Sequence, residues 1–175
     1  ALRERLDEIK RAKGQEAIAA EWSDKARALL DQPRLNIADA LAWQRDAAKA
    51  GAPLSREPLA GLKAALVERV KAIEDLQHRI QVEREAAVLL AQRIEVMSTK
   101  PLADSQAVSQ GLAADVAQWT AQAQVLAGDV QWHSVDLRYA PMLDNSRAQL
   151  NLVWQAFDAA LQMAVAALAG MGWGM

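Results

Sequence analysis

Three side chains between residues 128 and 140 have the types and spacing to hold a divalent cation. Asp129, His133 and Asp136 stand at i−4, i and i+3, which puts them on one face wherever that stretch is helical. Two carboxylates and an imidazole would then offer a three-ligand metal set, or a group for acid–base catalysis. The surrounding QWHSVDLRYAPM adds Trp132, Arg138 and Tyr139, side chains that suit a partner surface. Against the metal, Gly128 and the V-Q-W-H-S-V pattern argue against a helix there. Asp129 then reads as an N-cap or turn residue, and Asp136 as the partner of Arg138. The expectation is a structured connector whose aromatics plug the end of a helical bundle, with no catalytic residue, metal or cofactor. Trp132, His133, Arg138 and Tyr139, joined by Trp43, stand as candidate partner-binding residues.

Elsewhere the sequence offers little reactive chemistry. It contains no Cys, so it has no disulfide, no thiolate nucleophile and no thiolate zinc site. It lacks G-x-S-x-G, P-loop and H-E-x-x-H motifs. The glycines of G-M-G-W-G at 170–174 follow a helix rather than leading from a strand into one, so a dinucleotide fingerprint is excluded by context. His78, between Asp75, Gln77 and Arg79, reads as a solvated helix residue. A non-enzyme is expected.

The charge distribution separates two regions. Residues 1–100 carry 18 Lys+Arg and 16 Asp+Glu, a net of +2, leaving two Arg and six Asp, a net of −4, for residues 101–175. The first region is read as a charged coiled-coil and helical domain, the second as an Ala/Gln-rich helical hairpin packed at its end. The basic residues of 1–100 are interleaved with almost equal acid, which suits an exposed coiled-coil face. Nucleic-acid binding, as an RNA- or ribosome-associated domain, is the alternative. The uncharged run after Asp158 is too short and too Ala-rich to span a bilayer, so no membrane span is expected. No signal peptide is visible, and a cytoplasmic setting is expected. The start at Ala1, already in helical periodicity, reads as a piece of a longer protein.

Positioning these residues is work for helices. Alanine is abundant and β-branched residues are few, which favours an all-α chain. One helix is expected over 2–31, with a bend at Gly14, and a short one over 37–50, its stripe Ile37, Leu41 and Ala48, closed by Gly51. A long helix follows at about 56–98, with Ser55 as N-cap, Pro58 in the first turn and Leu54 and Leu59 as a hydrophobic staple. Positions 59, 62, 66, 69, 73, 76, 80, 83, 87, 90, 94 and 97 repeat every three and four residues. All but Arg69 and Glu83 are Leu, Ile, Ala or Met, a period that means supercoiled packing against another helix. The first helix is the natural partner, giving an elongated antiparallel bundle.

Pro101 breaks the chain before a helix over 104–127, whose stripe is Val108, Leu112, Val116, Trp119, Ala123 and Leu126. Pro141 opens the last helix, to about 169, with Leu150, Val153, Phe157, Leu161, Ala164 and Leu168 in line. Trp22, Trp119 and Trp154 lie on or beside stripes and are expected in the core. Trp43 lies beside its stripe and is expected to be partly exposed, a contact residue. The tail GMGWGM should fray, leaving Trp173 for a partner.

Within the last helix, LVWQAFDAALQMA (152–164) resembles the L-W-x-x-F-x-x-A pattern of an uncharacterised helical domain of proteobacterial multi-helix proteins. Leu152 or Val153, Trp154, Phe157 and Ala160 occupy the matching positions; the charged residues of that pattern around the Trp are absent. The resemblance implies a helical setting and carries no activity with it. Together these readings point to a helical scaffold or protein–protein interaction module, working through a protein partner or self-association.

Overall fold

The computed structural model describes residues 1–173, with side chains through Met171. Among the described residues the chain is all-α, with five helices, one 3-10 turn and no strand. The helices are α1 (Leu2–Asp31), α2 (Ile37–Lys49), α3 (Leu59–Met97), α4 (Leu102–Ala127) and α5 (Tyr139–Trp173). They form two compact units, Ala1–Asp75 and Leu76–Met175, so the division falls inside α3.

In the first unit, α2 shows why the chain turns where it does. Asn36 caps it, its Oδ1 accepting the Ala38 N–H at 2.9 Å, which satisfies one of the orphan donors of the first turn. Gly51 ends the segment at φ +76°, a left-handed conformation that glycine takes without a Cβ clash. The packed face of α2 is not the expected one. Ala40, Trp43 and Ala47 are buried, while Leu41 and Ala48 are exposed. Hydrophobicity pointed to Leu41; the buried face instead combines a tryptophan with two small alanines one turn to either side.

α3 starts later than expected. Residues 55–58 form turns, and the helix begins at Leu59, with the Pro58 carbonyl accepting the Leu62 N–H at 3.1 Å. Proline disfavours helical backbone in the residue before it, so Glu57 cannot continue a helix begun at Ser55. From Leu59 the helix runs for 39 residues. Every one of the twelve periodic positions is buried or half-buried. The two polar exceptions are packing devices. The Arg69 guanidinium donates to the carbonyls of Leu30 (2.8 Å), Gln32 (2.9 Å) and Pro33 (3.3 Å), satisfying acceptors where α1 ends. At Glu83 the group the seam uses is the main-chain carbonyl, which accepts the Trp119 indole N–H.

α1 contributes only its second half to packing. Ser23 and Ala26 are buried and Trp22, Leu29 and Leu30 half-buried, but residues 1–17 are exposed, Leu2, Leu6 and Ile9 included. Residues 1–17 therefore make none of the expected pairing with α3, and nine charged side chains lie in that stretch.

In the second unit α4 and α5 pack as the expected hairpin. α4 buries Leu112, Val116, Trp119, Ala123 and Leu126, α5 buries Leu143, Leu150, Phe157 and Leu161, and α3 adds Leu76, Ile80, Ala87, Leu90 and Ile94. Ser105 ties the α3–α4 turn, its hydroxyl donating to the Met97 carbonyl at 2.9 Å. α5 begins two residues before Pro141, which sits in its first turn, and continues past residue 169 to Trp173. The helix does not end at Gly170: the two glycines at 170 and 172 cost it about 1 kcal/mol each and do not stop it before Trp173. The side chain of Trp173 lies outside the described residues.

Candidate functional site

The connector between α4 and α5 (residues 128–138) uses its polar groups on itself and on α3. Asp129 Oδ1 accepts the Gln131 N–H at 2.8 Å, an Asx turn, and its other oxygen stands 4.0 Å from the Arg79 guanidinium. Trp132–Ser134 form a single 3-10 turn. The Asp136 N–H donates to Gln77 Oε1 at 3.0 Å, and its carboxylate accepts the Arg138 N–H at 3.1 Å where α5 starts. Both aspartates are thus turn-makers, and among the described residues no group of three His, Asp or Glu is placed to hold a metal ion.

The five candidate contact residues divide. Tyr139 is buried, with the Arg138 guanidinium 4.9 Å from its ring centroid and donating to its hydroxyl at 3.1 Å. Trp132 is half-buried, whereas His133 and Arg138 are exposed. Trp43 is only 4% exposed, against the expectation of partial exposure, and its indole N–H donates to the Trp22 carbonyl at 2.9 Å. With Leu41, Leu66 and Val67 it lines an apolar cleft of about 90 Å³. Sequence reasoning passed over the most exposed apolar side chains of the connector, Val130 and Leu137, because neither belongs to a periodic stripe.

Trp119 does for the second unit what Trp43 does for the first. Its indole N–H donates to the Glu83 carbonyl at 2.7 Å, so a tryptophan on α4 is pinned to the backbone of α3. This explains why position 83 tolerates a glutamate: what the seam uses there is the main chain, and the carboxylate is free to reach water. Trp154 is half-buried beside Phe157, ring centroids 5.8 Å apart.

An open apolar surface lies along α3 and α4. Leu89, Val96 and Met97 of α3 and Val108 and Leu112 of α4 line an apolar groove of about 560 Å³. Leu89 and Arg93 lead from it into a second groove of about 480 Å³, bounded by Glu83, Ala86, Asp115 and Gln118. Arg93 and Asp115 bridge the two helices at 3.2 Å. On α3 the exposed apolar residues Val82, Leu89 and Val96 recur every seven positions, an outward stripe beside the buried one. The sequence signal existed in that spacing, but the stronger inner stripe masked it.

By length and composition α5 could cross a membrane: over Tyr139–Met171 its most apolar window has a mean hydropathy of 1.4 with 11% of the window buried. Within that helix Leu143, Leu150, Phe157 and Leu161 are buried. Compared with protein-family models, with curated proteins and with solved structures, the chain matches none.

Proposed function

We propose that this chain is a non-enzymatic helical interaction module that receives a partner helix along the α3–α4 face. The observation that carries the reading is the outward stripe of α3, with Leu89 62% and Val96 55% exposed and flanked by Val108 of the neighbouring helix. Heptad-spaced apolar side chains beside a groove are what an amphipathic helix reads with anchors at i, i+3 or i+4, and i+7. A coiled-coil-like contact there would extend the packing that α3 already makes through its buried stripe. The Arg93–Asp115 pair at the middle of the face offers both signs of charge to fix register, a role suited to specificity more than affinity.

The turn roles of Asp129 and Asp136 support a non-catalytic reading of the connector. The test is recovery of partners from cell lysate on immobilised chain. Leu89→Glu with Val96→Glu should cut recovery of any specific partner at least tenfold while helicity stays unchanged. Undiminished recovery by the double variant would show that the face is not the contact surface.

A further inference from the structure

The packed seam of α5 does not end where its bundle ends. Phe157, Leu161 and Ala164 follow one another at spacings of four and three, and they line a cleft beside the α3–α4 turn with Ser98, Leu102 and Ser105. The same spacing continues to Leu168 and Met171, now 58% and 71% exposed. α5 therefore overruns the turn that covers it. No charged side chain lies between Asp158 and Met171, and Ala159, Ala160, Met163, Ala166 and Ala167 are exposed as well. α1 also overruns its unit, but over residues 1–17 it carries nine charged side chains and needs no cover. On α5 the exposed Gln162 is the last polar side chain before Met171, and a helix end that is apolar on every side beyond it does need cover.

We infer that the overrunning part of α5 pairs with the same segment of a second copy, antiparallel about a two-fold axis near Leu168. Three observations favour this occupant. The exposed seam continues, in the same spacing, one that already packs helix against helix, so a helix fits it. Without charge on any face, two identical segments meet with no like-charge repulsion, and a two-fold contact is self-complementary. Antiparallel pairing opposes the helix dipoles and leaves the two bundles at opposite ends of the shared segment. A bilayer fits less well, because reaching the roughly 20 apolar residues of a span would pull Phe157 and Leu161 out of their buried positions. This surface is separate from the α3–α4 groove, and either can fail alone.

Sedimentation equilibrium of the 175-residue chain tests the pairing. The weight-average mass should rise from 19.1 kDa toward twice that value between about 1 and about 100 µM, as dimerisation by mass action requires. Leu168→Glu should hold the mass at the monomer value with unchanged helicity, and Leu6→Glu, at an equally exposed leucine of α1, should leave the rise intact. Because the chain has no Cys, Leu168→Cys should form a disulfide dimer on mild oxidation, whereas Val125→Cys should not. A monomer throughout, or a dimer that Leu168→Glu leaves untouched, overturns the inference. So does a monomer that co-floats with phosphatidylcholine vesicles, which would assign the segment to lipid.

Discussion

The two units solve the same packing problem with one device and leave it unfinished in opposite ways. In each, a tryptophan buried to within a few per cent directs its indole N–H at a main-chain carbonyl of another helix, Trp43 at Trp22 and Trp119 at Glu83. Burying so large a ring and satisfying its donor fixes both distance and register between two helices. Each unit also projects a helix end beyond its own core. The first end is densely charged, the second uncharged. The difference is one of chemistry rather than of geometry: both ends are exposed, and only the first carries the charge that suits a helix to water.

The comparison breaks most visibly at its two tryptophans. Trp119→Ala and Trp43→Ala should each cost about 3–5 kcal/mol by cavity formation and a lost hydrogen bond, read from urea midpoints. Trp119→Phe keeps most of the ring and should cost about 1–2 kcal/mol. If either alanine variant unfolds at the wild-type midpoint, that tryptophan is no anchor. Next comes Arg69→Met, which preserves the aliphatic stem but orphans the carbonyls of Leu30, Gln32 and Pro33. We expect about 1–3 kcal/mol, since bonds from a charged donor are the stronger kind, and faster amide exchange around residues 28–33. Smallest of all should be His133→Ala, within about 0.5 kcal/mol of wild type as an exposed residue outside any network. Zinc or calcium should likewise leave the melting temperature unmoved. A shift of several degrees on adding either ion, abolished by His133→Ala, would restore the metal reading of Asp129, His133 and Asp136.

Most of the helical framework was legible because it is written in periodicity and punctuation. The seam of α3 spans twelve positions, and Pro101, Gly51 and Pro141 act at element ends whatever the tertiary context. The face of α2 was not legible. Alanines at 40 and 47 are silent in hydrophobicity, yet their small size is what admits Trp43. The start of α3 was misplaced because a capping signal at Ser55 competed with the steric effect of Pro58 on Glu57, and the steric effect won. At the candidate site, spacing could suggest a metal cluster but also turn chemistry; the hydrogen bonds of Asp129 and Asp136 to backbone N–H groups decide for turns. The α3–α4 face escaped notice because an outward stripe of three residues is only meaningful once the inward one is known to be occupied.

The most direct measurement sets that face against the connector in one partner-recovery assay. One variant carries Leu89→Glu and Val96→Glu, the other His133→Ala and Arg138→Ala, both checked for wild-type helicity. Loss of the partner by the first variant, with full recovery by the second, is the predicted result. Recovery by the first and loss by the second would contradict the proposal and make QWHSVDLRYAPM the contact surface after all.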